Sequence, residues 1–489
     1  MDHHSTSSRR MRTPGRLSRR AFTIGLGLAA APWRTRAAFQ SATPAAAPAA
    51  ADSERVVAAV SHLDELAAQT MERTGIPGLA IAVVSGDDAV AVRGYGTIEP
   101  GGDAPVTPDT TYQLASVSKP IASTVVAMLV GDGVVAWDDP VVRLDPGFAL
   151  SDPWITSQTT IRDLMCHRSG LPAFAGDLLE DIGYSRAEIL RRLRYVLPGS
   201  PFRTQYAYTN FGYTEGVLAA AEVIGQRWEA LATQRLFRPL GMTDTSARHD
   251  ALPQHGRAAP LLVREGDAWV ASGGRNADAQ SPAGGIHSTA HDLAQWLRLQ
   301  LNQGAFGGMQ IVAAAALAET HRPQIVSAAP PDPRTDHAGL YGLGWNVGYE
   351  ADGSVRLSHS GAFNLGAATT VALLPGQRVG IAVLTNTSPV GAPESIAASF
   401  TDYVLFGRVT QDWATRYEEA FSAPVAAAAA ARFDYAAPPA NPSPALPDEA
   451  YVGMYDSLLF GPLAVTATNG GLEIALGPAP LKLPLAHYD

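Results

Sequence analysis

Apolar positions recur along this chain in two rhythms. In "RVVAAVSHLDELAAQTMERTG" (55–75) they return at helical spacing and stop at a glycine, which predicts an N-terminal helix. In "GLAIAVVSGDDAVAVRGYG" (78–96) two apolar runs flank Gly-Asp-Asp, which predicts a β-hairpin. A second hairpin is predicted far downstream in "TTVALLPGQRVGIAVLTN" (369–386), turning at Pro375 and Gly376. Helical patterns and Gly/Pro-rich loops fill the middle, and "TDYVLFGRVTQDWATRYEEAF" (401–421) reads as a closing helix. Strands at both ends of the main body with helices between them predict an antiparallel sheet built from distant segments plus a helical region, an α+β fold. The last forty residues alternate like short strands with glycine turns, a small β appendage at 450–489.

Composition is that of a globular chain, 46% hydrophobic and 17% charged over 489 residues. The N-terminus departs from it. Arg19 and Arg20 precede a weakly apolar run too short to span a bilayer, and small residues follow at Thr35 and Ala37. This reads as a twin-arginine (Tat-like) export signal over 1–37, so the expected location is periplasmic or secreted. No later run reaches the roughly 18 apolar residues of a spanning helix, so no membrane span is expected in the mature form. Ala/Pro-rich linkers are expected at 38–53 and 423–449, bounding a main domain at 54–422. Without residues 1–37 the chain carries 28 basic and 45 acidic residues, which argues against a nucleic-acid partner. Cys166 is the single cysteine, so no internal disulfide forms, and a small buried hydrophobe is its expected role.

The chain uses 34 arginines and only two lysines, Lys119 and Lys482. Lys119 stands three residues after Ser116, on one face if 115–128 is helical. A serine hydroxyl needs a base to become a nucleophile. Lysine can serve when burial lowers its pKa, and arginine cannot, because it does not deprotonate in proteins. Two further motifs follow: "YTN" at Tyr208–Asn210 and "HSG" at His359–Gly361. A phenol beside a cationic lysine would ionise more readily and supply a second acid/base, and Asn210 offers donor and acceptor to a substrate amide. Gly361 would let substrate lie close against a strand edge. His287 and His291, four apart, would suit a metal on a helix face, but the glutamate of the zinc-protease motif is absent and no metal is assigned.

Serine, lysine three on, Tyr-x-Asn and then His-x-Gly resemble the signature set of the serine β-lactamase and penicillin-binding-protein superfamily, nearest its class C β-lactamase-like branch. The segments "TIRDLMCHRSGLP" (160–172), "PLGMTDTS" (239–246), "SPAGGIHSTAHDLAQW" (281–296) and "YGLGWNV" (341–347) extend the likeness over about residues 54–405. The resemblance implies a β-lactamase/transpeptidase-like fold, an antiparallel sheet flanked by helices with a helical subdomain. It implies that Ser116 is acylated, that Lys119 and Tyr208 move protons, and that Asn210, His359, Ser360, Gly361 and Ala362 bind substrate. The backbone N–H groups of Ser116 and Ala362 would form the oxyanion hole. No metal or organic cofactor is implied. The expected partner is a small-molecule or peptide substrate, an ester or amide that includes D-amino-acid peptides. A β-lactamase proper is the alternative. His359 stands where β-lactamases usually carry lysine, and a histidine neutral at pH 7 meets the carboxylate of a β-lactam less well unless mild acid charges it. A third reading, a non-catalytic wall-binding or penicillin-sensing module, conflicts with the intact residue set.

Overall fold

The computed structural model describes residues 53–253, 257–430, 441 and 443–487. The arginine pair and its apolar run lie outside them. Among the described residues no helix is long and apolar enough to cross a membrane.

The predicted first helix is two, α1 (Ser53–Ser61) and α2 (Leu63–Thr74), interrupted at His62 and closed by Gly75, whose left-handed backbone lets its N–H reach the Met71 carbonyl. Both predicted hairpins form. The first is β1 (Gly78–Ser85) with β2 (Asp88–Gly96). Four strands follow, β3 (Ile325–Ala328), β4 (Gly339–Tyr341), β5 (Asn346–Tyr349) and β6 (Val355–Phe363). The second hairpin joins β7 (Ala367–Leu374) to β8 (Val379–Thr385). These eight strands make one sheet in the order β2-β1-β8-β7-β6-β5-β4-β3. Its seam pairs chain segments about 300 residues apart, with Ala80 opposite Leu384 and Ala82 opposite Ala382.

Both faces of β1, β7 and β8 are covered, so these strands are buried nearly end to end and read as near-continuous apolar runs rather than alternating ones. Leu79, Ile81 and Val83 pack with Val56, Leu63, Ile396 and Phe400 on one face. Ala80, Ala82 and Val84 face the other side and the large helical core. That side carries α3 (Ser118–Gly131), α4 (Asn210–Glu222) and α5 (Ala290–Leu301).

The single helix predicted at 401–421 is instead the end of α6 (Ala392–Phe406) and the start of α7 (Trp413–Ala430). Gly407 takes φ 69°, a conformation that ends a helix without penalty. The Asp402 carboxylate then gathers Thr410 N, Thr410 Oγ1 and Trp413 Nε1 at 2.6–2.7 Å and fixes the corner. The alanine run at 425–430, read as linker, continues α7, since alanine has the highest helix propensity.

The tail folds as a four-stranded antiparallel sheet, β9 (Gly453–Ser457), β10 (Gly461–Thr468), β11 (Gly471–Leu476) and β12 (Leu481–Leu485). It touches the helical region through Tyr184, whose hydroxyl donates to the Phe460 carbonyl at 2.9 Å. Arg192 holds the carbonyls of Leu458 and Leu459 at 2.9 and 2.8 Å.

Candidate active site

Ser116 lies in a single 3₁₀ turn (Ala115–Val117) that runs into α3, so it enters the helix one turn ahead of Lys119. Ala115 before it has φ 46°, a left-handed conformation that costs an L-residue roughly 1–2 kcal/mol. Neighbours hold the turn in place. Leu114 N–H donates to the Ile286 carbonyl at 2.9 Å, Thr369 Oγ1 donates to the Leu114 carbonyl at 2.7 Å, and Ser118 Oγ accepts from Ile286 N at 3.0 Å.

Lys119 is fully buried. Its Nζ has three oxygen neighbours: Asn210 Oδ1 at 2.7 Å, the Ala283 carbonyl at 2.9 Å and Ser116 Oγ at 3.1 Å. An ammonium donates to all three. A neutral amine donates to Asn210 and Ala283, which accept only, and leaves its lone pair facing the serine hydroxyl. Burial pushes the Lys119 pKa well below that of ordinary lysine, and only the charge of Asp177 opposes it. Geometry and burial thus agree on a lysine able to take the Ser116 proton.

Tyr208 places its hydroxyl 2.7 Å from Ser116 Oγ, and its ring centroid is 4.4 Å from Nζ. The expectation of a readily ionised phenol does not hold. Burial raises the Tyr208 pKa, and the hydrogen bond to Ser116 offsets this only in part. Lys119 Nζ lies over the ring face, and no charge of Lys119 counts among the causes that lower the phenol's pKa. The two groups are therefore pushed apart, with lysine toward neutral and tyrosine protonated, the pattern of a base and an acid.

The HSG segment divides. His359 sits within β6 and is 4% exposed. Its Nδ1–H donates to the Ser360 carbonyl at 2.8 Å, which leaves Nε2 to accept from the Tyr341 hydroxyl at 3.0 Å. Burial first, and then the charge of Lys119, push its pKa down to about 3. Mild acid therefore does not charge it, contrary to the expectation from an ordinary histidine. Ser360 points the other way, because side chains alternate along a strand. Its hydroxyl lies 3.2 Å from Thr370 Oγ1 beneath α6, on the opposite sheet face from Ser116, so it does not touch substrate in that cleft.

Gly361 returns to the Ser116 side. A Cβ there would stand 2.0 Å from the Leu114 carbonyl and 3.0 Å from Ser116 N. The glycine makes room for the turn that carries Ser116, a more specific need than substrate clearance. Ala362, the next residue, is exposed. Gly361→Ala should lower the melting temperature and reduce kcat/KM by about 10²-fold, since pushing the turn back by about 1 Å misplaces Oγ. A variant with wild-type turnover would mean that the Ser116 turn tolerates displacement.

Three residues without a role from sequence complete the site. Asp177 Oδ2 accepts from Asn210 Nδ2 at 2.8 Å, which orients the amide so that its oxygen faces Lys119. Burial pushes the Asp177 carboxyl up to about 6, against the pull of Asn210 and Lys119. His167, in the left-handed region at φ 62°, accepts from Thr209 N at 3.1 Å through Nδ1 and receives Ala207 N at its carbonyl at 2.9 Å. It thereby clamps the segment that carries Tyr208, and its ring packs between Tyr208 and Tyr341. Tyr341, the third, holds His359. His167 and Tyr341 fall in segments whose pattern was visible; Asp177 opens a short helix (Asp177–Asp181) in a stretch that carried no signal.

His287 and His291 do not share a helix face. His287 is buried in a short strand, while His291 is exposed on α5 beside Asp109. Among the described residues no cluster of metal-ligating side chains exists. Cys166 is buried and its thiol is pushed up to about 12, as befits a packing residue.

Residues 63–403 match the family model described as Beta-lactamase. Over 421 residues the chain is 28% identical to the "Unguisins hydrolase ungD'" of Aspergillus campestris, covering 80% of this chain and 74% of that protein. It is 29% identical to "Penicillin-binding protein 4" of Amycolatopsis lactamdurans, covering 64% of this chain and 81% of that one. It is 25% identical to the "D-alanyl-D-alanine-carboxypeptidase/endopeptidase AmpH" of Escherichia coli, covering 70% and 88%. The octameric penicillin-binding protein homologue from Pyrococcus abyssi shares the fold with a TM-score of 0.61 at 20% identity, over 87% of this chain and 90% of that one.

Proposed function

From a chain that belongs to the Beta-lactamase family and is a serine hydrolase, we propose an exported enzyme that cleaves esters or amides through an acyl-enzyme on Ser116. The observation that carries the reading is the three-way contact of Ser116 Oγ, Lys119 Nζ and the Tyr208 hydroxyl, with lysine driven toward neutral and tyrosine kept protonated.

In the first half-reaction Oγ attacks the carbonyl carbon as Nζ takes its proton. Negative charge develops on the carbonyl oxygen, and the N–H groups of Ser116 and Ala362 receive it. As the tetrahedral centre collapses, the carbonyl re-forms, the bond to the leaving group breaks, and the Tyr208 hydroxyl donates its proton to the leaving oxygen or nitrogen. The proton held by Lys119 then passes to the Tyr208 oxygen, so that the amine is neutral and the phenol protonated again. Water then repeats the sequence, giving up its proton to the same pair, and releases the acid. Asn210 binds the acyl amide or hydroxyl while Asp177 keeps it oriented.

A neutral His359 favours substrates without an obligatory carboxylate over β-lactams. Among amides, D-amino-acid peptides remain in range, and the carboxypeptidase/endopeptidase name of one relative supports them. The deciding experiment is a hydrolysis panel on the mature protein, comprising p-nitrophenyl esters, D-Ala-D-Ala peptides, D-amino-acid amides and nitrocefin. Fluorophosphonate labelling and peptide mapping would locate the acylated residue. Nitrocefin as the best substrate would reverse the order of the two readings. Label on a residue other than Ser116 would end both.

Asp177→Asn gives a signed test of the proton path. The Asp177 charge favours protonated Lys119, so removing it lowers the Lys119 pKa and deletes a carboxyl that itself titrates near 6. Both effects move the acid limb of kcat/KM to lower pH. The asparagine still accepts from Asn210, so the plateau falls less than in Asp177→Ala. An unmoved limb would show that Asp177 does not act through Lys119.

Export rests on the Arg19–Arg20 pair ahead of a weakly apolar run. Replacing both with lysine should leave unprocessed precursor in the cytoplasm by immunoblot of cell fractions, and normal export of that variant would remove the twin-arginine reading.

A further inference from the structure

A second polar chamber of about 270 Å³ lies on the far face of the sheet from Ser116, between β6, β7 and α6. Its floor is Ser358, Ser360 and Thr370, which share one face through the pairing of Ser360 with Thr370. Its roof is Glu394 in the first turn of α6, with Tyr417 of α7 alongside. Glu394 is 7% exposed, and its Oε2 has no hydrogen-bond partner among the described residues. A buried carboxylate oxygen left unmatched is costly, so its persistence in a roomy polar chamber points to a ligand that supplies donors.

Charge selects the ligand. Arg356 also lines the chamber, but Glu350 neutralises it at 2.5 Å. Glu394 takes hydrogen bonds from the Ser360 hydroxyl and from its own backbone N–H, yet Oε2 stays unpaired, and burial, outweighing both bonds, raises its pKa to about 7. The Ser360 hydroxyl donates to Glu394 and that of Thr370 to the His359 carbonyl, so their oxygens, 3.2 Å apart, face the chamber with lone pairs that can accept. One carboxylate and two hydroxyls suit the three N–H donors of a primary ammonium. The volume holds a short alkyl chain behind it, at about 30 Å³ per water-sized group.

We propose that this chamber binds a short-chain primary ammonium ion and that occupancy adjusts the active site through β6. The strand supplies the connection. Ser358 and Ser360 face the chamber, while His359 and Gly361, between and beside them, face the Ser116 turn. A shift that seats a ligand on Ser360 moves the residues that abut the nucleophile.

The binding half is independent of the catalytic reading, and the regulatory half uses ester hydrolysis only as a readout. The probe is ethylammonium chloride, titrated by calorimetry into the full chain with Ser116 blocked by a fluorophosphonate, and 1-propanol is the neutral control. Saturable ethylammonium binding is expected, with none for propanol. Glu394→Gln should weaken it at least about tenfold, the scale of one charge-assisted contact. Ala397→Leu, which fills the chamber from α6, should abolish it; thermal melts verify that both variants fold. In unblocked protein, saturating ethylammonium should change kcat/KM for p-nitrophenyl butyrate several-fold, and not in Glu394→Gln. No saturable binding to wild type, equal binding of propanol, or binding that survives Glu394→Gln overturns the site. Binding with unchanged hydrolysis overturns its regulatory role.

Discussion

Ser116→Ala should remove turnover on every substrate of the panel, lowering kcat by about 10³-fold or more, while leaving the melting temperature within a few degrees of wild type. The two halves of this expectation have separate grounds. Oγ is the atom reached by both Lys119 Nζ and the Tyr208 hydroxyl, so no other hydroxyl in the cleft has both a base and an acid in contact. Its loss leaves Nζ with Asn210 and Ala283, and α3 keeps its buried packing, so the fold loses two hydrogen bonds, worth about 1 kcal/mol each. Fluorophosphonate labelling should vanish with activity. If kcat stays above about a hundredth of wild type on the best substrate, at constant stability, the acyl-enzyme lies elsewhere.

How far the sequence disclosed this site depends on the range of the signal. The two hairpins were legible because each turn is written locally, Gly-Asp-Asp in one and Pro-Gly in the other, between apolar runs. Their union across Ala80 and Leu384 is a pairing between distant segments, and no single sequence displays it. Ser116 and Lys119 were legible because helical spacing alone brings them together. The break at Gly407 was visible as a glycine, but the apolar rhythm continued across it, and only the Asp402 corner shows why the helix turns.

The misread residues share a cause, which is that burial and facing direction are tertiary facts. Tyr208 beside a lysine suggests an acidic phenol in water; inside this core the desolvation of the phenolate outweighs that. His359 suggests a switch near neutral pH, yet the same core and Lys119 hold it neutral. Ser360 was grouped with its motif neighbours, although strand alternation sends it to the other face. Asp177 reaches the site through Asn210 and through its charge on Lys119, from the first residue of a short helix (Asp177–Asp181) whose place beside α4 is a tertiary fact.

Lys119→Arg should be nearly as damaging as removal of the amine, lowering kcat/KM by about 10²–10⁴-fold, the usual worth of a general acid/base. The substitution keeps the positive charge and several donors, so a lysine that served only as an electrostatic neighbour would be replaced with modest loss. The structure argues for more than charge. Nζ is fully buried, two of its contacts are to oxygens that accept only, and the third is the hydroxyl whose proton must leave. Burial lowers the pKa of the lysine, so the neutral amine exists where an arginine stays charged. The pH dependence carries the sign. In wild type kcat/KM rises with pH as Lys119 loses its proton and then levels, whereas Lys119→Arg should show no such limb. Lys119→Met, of similar length and uncharged, separates lost chemistry from lost packing: it should fold, and it should be no more active than the arginine variant. Retention of most of the wild-type kcat by Lys119→Arg, with the acid limb intact, would transfer the role of base to another group and leave the lone buried lysine of an arginine-rich chain as a charge alone.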